Sequence, residues 1–256
     1  MRVTVCELPH EPGPLAAAWA RLCEHSARES SDFILLPELA CVPPLWQKER
    51  FDSTDWGSGL ASSGIWSRRF GELHAAHVVG TRPITIARRH FNQGFMWSKT
   101  YGLMPLRRKY FLPNESGGWE AHWFTRGDRD FPRFTAGTMS FGLNICTELW
   151  ALETYAAYAA MGVHAVVCPR ATSVATATKW LAAGIVAAVR SGAYCLSSNR
   201  VHSDGSCGGS GWIISPDGEL LASTSPANPV CTFAIDLGVR GAASTTYPRY
   251  VFAGGV

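Results

Sequence analysis

A series of short apolar, β-branched runs, spread from one end of the chain to the other, constrains the fold more than any other feature. Eleven of them fall at 3–6, 33–36, 77–80, 83–87, 94–97, 139–146, 165–168, 193–197, 211–214, 219–223 and 230–235. Runs of this length, bounded by Gly, Pro, Asn, Asp and Ser, read as strands. Helical spacing fills several of the gaps, at 14–29, 59–74, 149–161 and 176–191. Segments 211–223, turning at Asp217-Gly218, and 92–106 read as hairpins. Strands that alternate with helices and are interrupted by hairpins predict α/β layers built on mixed sheets. No repeat or linker divides the chain, so one domain over 1–256 is expected.

Composition excludes several classes. With 46% hydrophobic and 17% charged residues, the chain has the balance of a packed globular protein. A net charge of +3 gives no footprint for nucleic acid or a membrane surface. No window approaches the ~18 consecutive apolar residues of a membrane span. The N-terminal residues lack a signal-peptide core, so a cytoplasmic location is expected. Eight cysteines are scattered without a CxxC pair and read as free, mostly buried residues. No metal is expected, because His74 and His77 have no further ligands nearby at useful spacing. No phosphate-binding glycine loop is present, and no cofactor is expected. Gly205-Ser-Cys207-Gly-Gly209 matches a nucleophile elbow in letters only, since a polar segment precedes it and a strand follows.

Three segments place reactive side chains at strand ends. Glu38 lies just past the apolar run 33–36, which Pro37 stops. Lys109 lies in Leu106-Arg-Arg-Lys109-Tyr-Phe-Leu-Pro113, where an ammonium near apolar groups can stabilise developing negative charge. Cys146 ends the run 139–146, and a helix is predicted to begin at Thr147-Glu148. A thiol at the positive end of a helix dipole is expected to have a lowered pKa and to be reactive.

Taken in order, Leu-Pro-Glu38, Arg-Lys109 with Leu-Pro, and Gly142-x-x-Ile-Cys146-x-Glu resemble the nitrilase (carbon–nitrogen hydrolase) superfamily of the Glu-Lys-Cys type. The resemblance extends from about residue 2 to about 236, through Arg2–Pro9, Gly117–Asp128, His164–Pro169, Ser191–Arg200 and Gly209–Gly218. Departures are Val186-Ala-Ala-Val-Arg190 where the family often has an Arg-Ala-x-Glu helix, and Thr147 where nitrile-hydrolysing members usually have tryptophan.

The resemblance implies a four-layer α-β-β-α sandwich and a catalytic trio of Glu38, Lys109 and Cys146. Glu120, in the loop after the lysine, is its expected fourth member. Thr147 and Trp119 are expected to bind substrate. Arg170 can clamp a substrate carboxylate or make a structural salt bridge. The implied function is hydrolysis of a non-peptide carbon–nitrogen bond in a small amide or carbamoyl substrate through a thioester. Rival readings are a nitrilase, which Glu148 after the cysteine keeps open, an amide-forming acyltransferase, and a silent scaffold. A homodimer or higher homo-oligomer is expected from the family.

Overall fold

A computed structural model describes residues 1–239 and 245–252. The portions of the expected domain at 240–244 and 253–256 lie outside the described residues. The strands are β1 (Arg2–Leu8), β2 (Phe33–Leu35), β3 (His77–Ile86), β4 (Arg89–Ser98), β5 (Gly102–Arg108), β6 (Arg133–Ala136), β7 (Met139–Leu143), β8 (Ala165–Pro169), β9 (Tyr194–Arg200), β10 (Trp212–Ile214), β11 (Leu220–Ser223) and β12 (Val230–Ala234). The helices are α1 (Pro12–Glu29), α2 (Ser53–Ser67), α3 (Glu120–Trp123), α4 (Glu153–Met161), α5 (Ala177–Ser191) and α6 (Arg249–Phe252).

The strands form two six-stranded sheets. One runs β5-β4-β3-β2-β1-β12, the other β6-β7-β8-β9-β10-β11. They join at one end, where β1 and β9 pair in parallel through Glu7 with Asn199 and Leu8 with Arg200.

Alternation along the strands sorts the side chains into layers. Val3, Val5, Phe33 and Leu35 meet Phe141, Leu143, Val167 and Leu196 between the sheets. The residues between them point the other way: Cys6, Leu8, Ile34 and Val78 pack on Leu15, Trp19 and Leu22 of α1. On the opposite outer face, Val166, Cys168 and Cys195 pack on Tyr155 and Tyr158 of α4 and Ala183 and Ala187 of α5. Both faces of each sheet are therefore apolar, which explains why several strands read as unbroken hydrophobic runs. The result is the expected four-layer α-β-β-α sandwich.

The differences from the predicted elements have local causes. The runs at 77–80 and 83–87 are one strand, β3, carried through Pro83. Its pairing with β2 covers only His77–Val79, so Pro83 stands beside an open edge where a missing N–H is tolerated. Helix α2 begins at Ser53 instead of 59, because the Asp52 carboxylate accepts the N–H groups of Thr54 and Asp55 at 2.8 and 2.9 Å. The helix predicted from 149 divides into a 3-10 turn, Cys146–Trp150, and α4. Strand β6 and helix α3, four residues each, carry no periodicity long enough to read. Gly142 is required by packing: a Cβ there would lie 2.3 Å from Cζ of the buried Tyr158 ring. Among the described residues, no helix is long and apolar enough to cross a membrane.

Candidate active site

The three reactive residues hang from the ends of strands in different sheets. Glu38 follows β2 and Lys109 follows β5 in the first sheet, whereas Cys146 follows β7 in the second. Backbone bonds fix two of them. The Glu38 N–H donates to the Arg170 carbonyl at 3.2 Å, and the Lys109 N–H to the Asn92 carbonyl at 2.9 Å. Leu39 and Cys146 both take left-handed backbone conformations, with φ of 46° and 48°. Such angles cost a non-glycine residue ~1–3 kcal/mol, which the surrounding packing must hold in place.

The side chains converge in a buried cluster. Lys109 Nζ donates to Glu38 Oε1 at 2.8 Å and to both Glu120 oxygens at 2.7 Å. Asn92 Nδ2 donates to the same Glu38 Oε1 at 2.8 Å. Lys109 is fully buried, and Glu38, Cys146 and Glu120 are 2%, 4% and 6% exposed. The structure therefore brings Glu38, Lys109, Glu120 and Cys146 together, with Glu120 placed by α3.

Burial sets the electrostatics. It would pull the Lys109 ammonium down, but Glu120 and Glu38 outweigh it and hold the group well above the ordinary lysine range. Burial pushes Glu120 up to about 7, against the pull of Lys109. The thiol of Cys146 is pushed well above its ordinary range, first by burial and then by the Glu38 carboxylate, with Lys109 opposing. This corrects the lowered thiol pKa expected from a helix dipole. The helical segment at Cys146 is a five-residue 3-10 turn, and its small dipole does not offset desolvation beside a carboxylate. The resting nucleophile is a neutral thiol that needs a base.

A buried ion pair outside the expected trio braces the cluster. The Glu148 carboxylate accepts from both terminal nitrogens of Arg107, Nη2 at 3.0 Å, and from the N–H groups of Tyr110 at 2.7 Å and Ile145 at 2.9 Å. It thereby clamps the segment bearing Lys109 to the segment bearing Cys146. Sequence reasoning missed both Asn92 and this pair. The available signal was the matched offset, with Arg107 two residues before the lysine and Glu148 two after the cysteine.

The substrate-binding candidates separate. Thr147 lines a cavity of about 490 Å³ with Phe111, Leu112, Arg126, Trp150 and Trp180, between the Lys109 and Cys146 segments. Trp119 is not in that lining: its ring stacks on His122 at 5.2 Å and its backbone N–H donates to the Trp46 carbonyl. Arg170 is fully buried. Its Nε and Nη1 donate to the hydroxyls of Ser197 and Thr172 at 2.7 and 2.8 Å, and Nη2 donates to the Ser210 carbonyl. The guanidinium also lies 3.8 Å from the Trp212 ring centroid. Of the two roles open to Arg170, this geometry is the structural one, built from hydrogen bonds instead of a salt bridge. The Gly205–Gly209 segment is a loop leading into β10, with no helix after it. All eight cysteines are free.

A two-sheet sandwich with a buried Glu, Lys and Cys at its strand ends is the architecture of a carbon–nitrogen bond hydrolase. The carbon-nitrogen hydrolase family profile matches residues 2–244, and the chain belongs to that family. No curated protein matches the chain in sequence. Among solved structures, it is similar to a carbon-nitrogen hydrolase from Helicobacter pylori G27, with a TM-score of 0.84 at 18% identity over 98% of this chain and 94% of that one. It is also similar to Nit3 of Saccharomyces cerevisiae, a member of branch 10 of the nitrilase superfamily (TM-score 0.75, 18% identity, 97% and 94% covered). An amidase from Nesterenkonia sp. aligns with a TM-score of 0.73 at 16% identity over 94% and 92% of the two chains. At these identities the likeness is one of fold.

Proposed function

We propose that the protein is an amidase or N-carbamoyl-amine hydrolase that works on a small molecule through a thioester on Cys146. The observation that carries this reading is Lys109 Nζ, held within 2.8 Å of both Glu38 and Glu120 in a buried cluster with the thiol.

The roles follow from protonation and geometry. Cys146 starts as a thiol, so Glu38 takes its proton as the sulfur attacks the substrate carbon. With one N–H shared between the two Glu120 oxygens and one given to Glu38, Lys109 keeps a third donor for the tetrahedral oxyanion. A backbone N–H at Cys146 or Thr147 supplies a second donor, and one such donor is typically worth ~3–4 kcal/mol of barrier. Glu38 passes its proton to the leaving nitrogen, and ammonia or an amine departs. Water then attacks the thioester with Glu38 again as base, and the thiol is restored. Glu120 anchors Lys109 throughout. Glu148, whose spacing keeps a nitrile substrate open in the sequence, spends its carboxylate on Arg107 and backbone N–H groups, so it lends no support to nitrile over amide. Assembly as a homodimer in the cytoplasm completes the proposal.

The test is ammonia release from a panel of simple amides, carbamoyl amines and nitriles, with mass spectrometry of the quenched enzyme. The reading expects ammonia from amides or carbamoyl compounds and an acyl group on Cys146. Ammonia from nitriles alone, or silence on every class, overturns it.

A further inference from the structure

At the end of the sandwich where the sheets join, β1 and β9 run parallel with Leu8 opposite Arg200. Two residues beyond each strand end stand His10 and His202, and the register carries them into contact. Their rings stack with centroids 5.0 Å apart and planes 13° apart. Glu11, which precedes α1, completes the group. Its Oε1 lies 2.7 Å from His202 Nε2 and its Oε2 lies 3.9 Å from His10 Nδ1. One ligand atom from each of the three residues falls within 4.8 Å of the others, and all three residues are half-buried.

We infer that His10, Glu11 and His202 form a binding site for a divalent transition-metal ion of the zinc type. Two imidazole nitrogens and a carboxylate are a donor set suited to such an ion, and they leave coordination positions for water. Two further observations point the same way. His10 Nδ1 is buried and makes no hydrogen bond among the described residues. Asp204 Oδ1 lies 2.5 Å from His202 Nδ1, a contact that holds the ring with Nε2 turned toward Glu11. Metal-binding histidines are commonly oriented by a carboxylate in this way. Glu11 and Asp204 bring two negative charges to the group, against the one positive charge of Arg200. The ion takes the place of any proton at His202 Nε2, which goes to solvent. Half-burial leaves an entry path. Once bound, the ion pins the start of α1 to the loop after β9 that carries Cys207.

Cobalt and zinc titrations of the EDTA-treated full chain test the site. The expected result is one Co²⁺ per chain with visible d–d absorption, no thiolate charge-transfer band, and displacement by Zn²⁺. His202→Ala and Glu11→Gln should each weaken binding by ~100-fold or more, and Asp204→Asn by ~10–100-fold. Cys207→Ser should leave binding unchanged, and far-UV circular dichroism should confirm that every variant is folded. Absence of binding by the unmodified chain overturns the inference. So does a thiolate band lost in Cys207→Ser, or binding that survives in both His202→Ala and Glu11→Gln.

Discussion

Arg107 and Glu148 form a buried ion pair that holds the lysine and the cysteine of the site at fixed separation, the side chains being 4% and 0% exposed. Removing one member of such a pair leaves an uncompensated buried charge, which typically costs ~3–5 kcal/mol. Arg107→Met should therefore lower stability by about that much in urea denaturation and abolish turnover. Glu148→Gln leaves the buried Arg107 charge without its partner and should cost a similar amount. An Arg107→Met variant with unchanged stability would show that the pair is solvated in solution.

Cys146→Ala should reduce turnover by ~10⁴-fold or more. It should leave the folded state nearly intact, within ~1 kcal/mol, because only one sulfur is removed and the backbone angle is equally strained for both residues. Steady-state rates and a thermal melt check the two halves separately.

Asn92 is a positioning residue, since it touches Glu38 and not the thiol. Asn92→Ala should lower kcat by ~10–100-fold with a smaller change in KM, because the base loses its alignment. An equal loss carried wholly by KM would point to a role in substrate binding instead.

The raised pKa of Glu120, about 7, makes a signed prediction. Between the unfolded value near 4.5 and about 7, the folded chain binds more protons than the unfolded chain. Stability from this group is thus fully present below the unfolded pKa and is lost as pH rises toward 7. The stability advantage of the unmodified protein over Glu120→Gln should shrink between pH 5 and pH 7, by a few kcal/mol at most. Urea midpoints at several pH values measure it, and an advantage that grows over this range contradicts the assignment.

Much of this was readable in the sequence because strand ends and reactive residues coincide. Glu38 and Cys146 each follow an apolar run, and Lys109 lies in a basic turn before an aromatic stretch, so the trio could be picked out by type and order. Glu120 was legible only through resemblance, since α3 is a single turn. Asn92 was not legible, because nothing local marks an asparagine whose partner lies 54 residues away. Arg170 could be read two ways, as a clamp or as a structural residue, because its contacts with Ser197, Thr172 and Ser210 are set by tertiary packing. The thiol pKa was misjudged for a related reason: a dipole can be read from neighbouring letters, but burial cannot.

The nucleophile is borne by one sheet and its base by the other, and the sheets share strand pairing only at Glu7–Asn199 and Leu8–Arg200 among the described residues. Chemical competence is thus a property of alignment between two halves, each of which carries an incomplete set of reactive groups. A shift of one sheet against the other, with every helix and strand intact, would move the thiol relative to the carboxylate that takes its proton. Mild denaturant should accordingly silence the protein before it unfolds it.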